Sequence, residues 1–240
     1  MDENLLTDCA KNMWVFPLIG ALLGLLAGLF GWVAVQFLPS LVVGALSLAL
    51  LLWMTGLHHT DGLLDFGDGI MVHGTPEKKI EVMHDQLTGA GAIGLALMTY
   101  VVTAFAFASL GGSQNILGFR VPLILPALIT IELCAKLSLV VAARAGRSVH
   151  KGMNSAFLEV MHGGGGNWRL ALALALSLIV AVPILSIMGI VVVLTAVVTG
   201  LVMVAVANKN FKGVTGDVFG ATNELTRAVC AVVLLAVVAW

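Results

Sequence analysis

The sequence predicts an all-α fold: a polytopic integral membrane helix bundle with about seven transmembrane helices. Three observations predict it. Of the 240 residues, 60% are hydrophobic and only 10% are charged, against about a quarter charged in soluble domains, and the mean hydropathy is +1.05. So little polar material cannot cover a water-facing surface. Apolar runs approaching the ~20 residues that cross a bilayer recur along the whole chain. Lys and Arg gather on one side of those runs.

The runs are Trp14–Gln36, Leu41–Leu57, Gly89–Leu110, Val121–Ala143, Trp168–Ser186, Ile187–Ala207 and Thr226–Trp240. The fifth and sixth are joined by almost nothing and predict a tight hairpin around Pro183 and Gly189. The N-terminal stretch MDENLLTDCAKN is acidic, unlike a signal peptide, so the first run reads as a true span. One transmembrane catalytic domain, residues 1–240, accounts for the length. The net charge of -1 argues against a nucleic-acid partner, which demands a basic face. Cys9, Cys134 and Cys230 lie far apart and suggest neither a zinc site nor a disulfide framework.

Seven spans put the N-terminus and the segments 58–88, 144–167 and 208–225 on one side. Ten of the 12 Lys and Arg residues, counting span ends, fall there; Arg120 alone lies opposite and Lys136 sits within a span. That asymmetry makes the rich side cytoplasmic. Nearly all candidate chemistry lies on the same side, so the active site is expected at the cytoplasmic face of the cell membrane.

The informative segment is GLHHTDGLLDFGDG at 56–69. His58, Asp61, Asp65 and Asp68 are spaced by three, four and three, which places them on one helical face if the helix runs on past Leu57. Three carboxylates on one stripe repel each other, and no lysine lies at helical spacing to offset them. A bound divalent cation removes the repulsion. Hard oxygen ligands suit Mg²⁺, which is usually shared between carboxylates and substrate phosphates. Gly62, Gly67 and Gly69 reduce side-chain bulk, which would let a phosphate approach the backbone. His58, on the carboxylate stripe, is favoured over His59 as a proton acceptor or phosphate contact.

Other segments can complete such a site. Glu81, His84, Asp85 and Thr88 share a helical face, and Asp85 reads either as a metal or substrate contact or as a solvated helix end. Glu132 and Lys136, four apart inside a span, form either a structural ion pair or a pair whose lysine reaches a phosphate. Arg144, Arg147, His150 and Lys151 supply cationic groups opposite the acidic stripe, and Gly163–Gly166 reads as a mobile lid or a plain linker. In 211–225, Gly213, Asp217, Gly220, Ala221 and Glu224 would form a second stripe if helical. Phosphoryl transfer needs both sets, because metal and basic side chains share the negative charge of the transition state.

HTDGLLDFGDG at 59–69 and GVTGDVFGATNEL at 213–225 resemble the two signatures of the cobalamin synthase family, also called adenosylcobinamide-GDP ribazoletransferase; FPLIGALLGLLAG at 16–28 fits as well. The resemblance covers essentially the whole chain. It implies a Mg²⁺-dependent enzyme that joins adenosylcobinamide-GDP to α-ribazole, or its 5'-phosphate, with release of GMP. It also implies that Asp61, Asp65 and Asp68 form the acidic motif and that Asp85 and Asp217 occupy adjoining acidic positions. Lys136, Arg144, Lys151 and Glu224, with Gly62 and Gly69, are the expected substrate contacts. Lys136 stands where members carry an arginine, which keeps the charge but loses the bidentate fork. Rival readings are a Mg²⁺-dependent CDP-alcohol or isoprenoid transferase and, further off, a transporter, whose acids would lie midway through spans. Small-molecule substrates and the lipid bilayer are the expected partners; homo-oligomerisation stays open.

Overall fold

The computed structural model describes residues 3–116, 119–149 and 153–238. In chain order come α1 (Glu3–Lys11), a turn of 3-10 helix (Met13–Val15), α2 (Phe16–Ala34), α3 (Ser40–Met54), α4 (His58–Met71), α5 (Pro76–Met83) and α6 (Ala90–Ala108). A hairpin of β1 (Ser113–Ile116) and β2 (Phe119–Pro122) follows, then α7 (Ile124–Ala145), α8 (Met153–His162), α9 (Gly166–Leu185), α10 (Ile187–Phe211) and α11 (Gly216–Val238). The segment Met13–Ala34 and helices α6, α7, α9, α10 and α11 are each long and apolar enough to cross a membrane, and α3 with α4 makes a seventh, broken candidate. The chain is a multi-pass membrane protein. Large apolar side chains such as Leu22, Leu97, Ile179 and Leu194 are exposed on the outer faces of these helices, as a hydrocarbon solvent permits.

Helix α7 is the central post. It is buried along almost its whole length, including Glu132 and Lys136, and α2, α9, α10 and α11 pack around it. Lipid tails are as apolar as leucine, so helices associate in a bilayer through close packing and polar contacts. Helix α2 does the former: Gly20, Gly24 and Gly28, spaced four apart, lie directly on the α7 backbone, and a Cβ on Gly24 would collide with the Leu128 carbonyl.

Two expectations are corrected here. The helix does not continue past Leu57. Gly56 and Leu57 both take left-handed backbone, with φ of 61° and 60°, and α4 leaves α3 at 97°. The acidic stripe therefore stands on a helix of its own. The last span begins at Gly216, ten residues before Thr226. Thr215 caps it, its hydroxyl accepting from the Val218 N–H at 3.3 Å. Segment 211–225 is thus mostly helix, and its acids sit in the first turns of α11.

Helix α5 starts conventionally, with Thr75 at the N-cap and Pro76 in the first turn. It stops at Met83, so Glu81, His84, Asp85 and Thr88 do not share a helical face as the spacing suggested. Lys79 Nζ donates to Asn210 Oδ1 at 2.7 Å, and Lys212 pairs with Glu77; together they tie α5 to the end of α10. The Lys212 hydrogen bond holds the Glu77 carboxyl below its usual range. The tight α9–α10 hairpin is as expected, with Gly189 packed on Ala181.

Candidate active site

Helices α4 and α11 cross in backbone contact. A Cβ on Gly62 would lie 3.0 Å from the Asp217 Cα and 3.1 Å from the Gly220 Cα, and one on Gly220 would lie 3.0 Å from the His59 carbonyl oxygen. A side chain at either position would push the two helices apart by a few tenths of an ångström. Asp61 and Asp65 flank Gly62 on one helix, and Asp217 stands three residues before Gly220 on the other. The crossing brings the two acidic segments, separated by some 150 residues of chain, to one point.

The charges acting most strongly on Asp65 are Asp217, Asp61 and Asp68, all negative. Asp217 in turn feels His84 and Asp61. Asp61 is exposed, and Asp65 and Asp217 are half-buried. No protein donor among the described residues is hydrogen-bonded to the carboxylates of Asp61 or Asp65. The set supplies oxygen donors, the ligand type that a hard divalent cation takes, with several negative charges close together. Among the described residues no group of three or more His, Cys, Asp or Glu side chains is arranged to hold a metal ion.

Asp68 is placed differently. Its two carboxylate oxygens accept from the backbone N–H groups of Gly89, at 2.6 Å, and Ala92, at 2.8 Å. It is the cap of α6, supplied from α4, and a carboxylate there also answers the positive end of the helix. Asp68→Ala is expected to leave two part-buried amides unpaired and to destabilise by about 1–3 kcal/mol. Thermal denaturation of the detergent-solubilised protein checks this, and Asp68→Asn should recover part of the loss. Asp85 accepts from the Leu87 N–H at 3.2 Å and, with Asp68, Val82 and Thr88, lines an open cleft of about 360 Å³ beside the acids. His58 is exposed at the start of α4, whereas His59 turns inward, its Nδ1 without a hydrogen-bond partner among the described residues.

Several expected substrate contacts are occupied by protein. The space beside Gly62 is filled by α11 and that beside Gly69 by the Met83 side chain, so these glycines serve helix packing, not phosphate approach. Glu224 is 1% exposed and pairs with Arg227. Lys136 is 6% exposed and donates to Asn223 Oδ1 at 2.6 Å. Its expected partner Glu132 instead pairs with Arg227 through both oxygens. Arg144 donates twice to Asn167 Oδ1, at 2.9 and 2.7 Å, at the start of α9. Lys151 and His150 lie outside the described residues. Arg147 is exposed and is fastened to the segment just before α11. Its carbonyl accepts from the Val214 N–H at 2.8 Å, and with Ser148, Leu158, Glu159 and His162 it borders a cavity of about 340 Å³.

Sequence reasoning missed Asn223 and Arg227 as interior residues. Arg227 had been counted among the cytoplasmic cations, and its burial leaves nine against Arg120 on the opposite side. The signal was available: Glu224 and Arg227 are three apart on a helix face shared with Gly220.

No solved structure is similar enough to match. The family model described as cobalamin-5-phosphate synthase matches residues 1–235. A protein of Methanocella arvoryzae named adenosylcobinamide-GDP ribazoletransferase is 31% identical, over 96% of this chain and 87% of its own. A protein of Thermococcus kodakarensis with the same name is also 31% identical, over 96% of this chain and 91% of its own. The like-named protein of Methanococcoides burtonii is 29% identical over 95% and 83%. With nearly its whole length matched and both acidic segments meeting at one crossing, the chain belongs to the cobalamin-5-phosphate synthase family.

Proposed function

We infer that this chain is an adenosylcobinamide-GDP ribazoletransferase. It moves the cobinamide-phosphate part of adenosylcobinamide-GDP to a hydroxyl of α-ribazole, or of its 5'-phosphate, and GMP leaves. The observation that carries the reading is the α4–α11 crossing, which gathers Asp61, Asp65 and Asp217 at an opening in a chain of this family.

Asp61, Asp65 and Asp217 are the residues that would hold Mg²⁺. When bound, the ion neutralises diphosphate charge and steadies the charge that grows on the leaving phosphate. The protein does the positioning. The two glycines fix the distance between the helices, which keeps Asp61, Asp65 and Asp217 close enough for their charges to act on one another. Asp68 sets the start of α6, and the cleft it shares with Asp85 opens beside them. Arg147, fastened to Val214 just before α11, supplies a cation for a phosphate oxygen at the rim. The attacking oxygen forms a bond to the phosphorus next to cobinamide as the bond to the GMP oxygen breaks. The hydroxyl proton passes through exposed groups at that end of α4, Asp61 and His58, to water. The excess of Lys and Arg on this side supports placing the site at the cytoplasmic face of the cell membrane.

The test is GMP release by protein purified in detergent, with adenosylcobinamide-GDP, α-ribazole and Mg²⁺. Chelation with EDTA is expected to abolish release and added Mg²⁺ to restore it. Undiminished turnover in EDTA would remove the divalent cation from the reading; absence of GMP under all conditions would remove the activity.

A further inference from the structure

The interior of the bundle holds a charged network that the reaction does not touch. Arg227 of α11 is fully buried. It forks onto both oxygens of Glu132 on α7 and bonds Glu224 one turn back on its own helix. Asn223 donates to Glu224 Oε1 at 3.0 Å and accepts from Lys136, four residues after Glu132. Two carboxylates, one guanidinium and one ammonium make the set neutral, and each member is bonded to another across or along the α7–α11 interface.

Such a set is expensive to bury, and apolar residues of the same volume pack as well or better. Its distinctive property is geometric. The rest of the α11 interior face carries no other charge: it includes Ala221, Thr222, Thr226, Ala228, Ala231 and Leu234. The Gly62–Gly220 contact sets the closest approach of α11 to α4, and a two-pronged guanidinium–carboxylate bond adds a directional constraint on its rotation. Asp217, Gly220, Glu224 and Arg227 follow each other at three, four and three residues. They lie on one stripe of α11, with Arg227 about 15 Å along the axis from Asp217. Whatever fixes the rotation of Arg227 also fixes the direction of Asp217.

We propose that the Glu132–Arg227–Glu224 network, with Lys136–Asn223 as a second key, is a register device that turns α11 so that Asp217 faces Asp61 and Asp65 across the Gly62–Gly220 crossing. Arg227 is a positioning residue in this sense. A rotation of about 20° moves a side-chain tip about 2 Å at a radius of about 6 Å, and a misplacement of about 1 Å can cost about 10²-fold in rate. The proposal rests on the metal reading only for the consequence of the geometry, not for the geometry itself.

The experiment therefore reads geometry directly. In protein with Cys9→Ser, the pair Asp61→Cys and Asp217→Cys is cross-linked with a short bifunctional thiol reagent. Cys134 and Cys230 are fully buried and out of its reach. The network is then replaced by apolar residues of similar size, Glu132→Leu, Lys136→Met, Glu224→Leu and Arg227→Met together, so that no buried charge is left without a counter-charge, and separately weakened by Arg227→Lys, which keeps the charge but not the fork. Both are expected to slow cross-linking by about tenfold or more, the equivalent of one decade in a population of correctly turned helix. The apolar variant should do so at a melting temperature equal to or above that of the parent. In the native acidic background, Mn²⁺ binding followed by electron paramagnetic resonance should weaken in the same variants, and kcat should fall more than KM rises. Parental cross-linking rates in either variant overturn the register device. If the unmodified protein takes up no Mn²⁺, the metal reading fails while the cross-linking arm still decides the proposal. If the apolar variant does not fold, the Arg227→Lys rate decides it.

Discussion

Asp65→Asn is expected to lower GMP release by roughly 10²–10³-fold, the scale of removing one electrostatic contact to a charge developing in the transition state. The protein should express normally. Asparagine keeps the size and one acceptor oxygen, so packing at the α4–α11 crossing is preserved. What is lost is the negative charge that the cluster concentrates on one volume. The same substitution should raise the melting temperature of the metal-free protein, because the strongest charges acting on Asp65 are three other carboxylates, and removing one of four relieves repulsion. Activity down and metal-free stability up together mark a site whose strain a cation relieves. Adding Mg²⁺ should stabilise the parent, by mass action on the folded state, and should stabilise the variant much less. GMP-release kinetics and thermal shifts with and without Mg²⁺ measure all of this. Near-parental turnover, or a variant that melts earlier without metal, would exclude Asp65 as a ligand.

How much of this was legible in the sequence depended on whether a residue's partner was local. The stripe His58–Asp61–Asp65–Asp68 is a local pattern, and it does lie on one helix. The break before it was not legible: nothing in the composition of Met54–Leu57 beyond Gly56 announces a 97° bend, since leucine seldom enters left-handed backbone as Leu57 does here. Asp68 carries the same spacing signal as Asp65, yet its partners are the amides of Gly89 and Ala92, more than twenty residues away, and spacing cannot see them. Lys136 was matched to Glu132 because four residues separate them, but the stronger partner for that carboxylate is the fork of Arg227 from another helix. The start of α11 was misplaced for a related reason. Hydropathy treats Asp217, Asn223, Glu224 and Arg227 as surface residues, whereas three of the four are buried against one another.

Arg227→Ala is expected to be the most damaging single substitution for stability. The arginine is fully buried and is the only protein group that bonds Glu132 in the described residues, while also pairing with Glu224. Truncating it strands two buried carboxylates, a loss of about 3–5 kcal/mol by analogy with other broken buried pairs, and leaves a cavity where the longest buried side chain stood. Since domains are stable by only ~5–15 kcal/mol, folded yield in detergent should collapse. Glu224→Gln should cost much less, because glutamine keeps an acceptor for the guanidinium and Glu132 still balances its charge. Glu132→Ala should fall between the two: it removes the fork but leaves Arg227 its second carboxylate. This order, Arg227→Ala worst, Glu132→Ala next and Glu224→Gln mildest, follows from counting which charges each change leaves unpaired. Thermal denaturation of the three purified variants measures it. If Glu224→Gln proved as damaging as Arg227→Ala, size and packing at this interface, not charge balance, would be what holds α7 to α11.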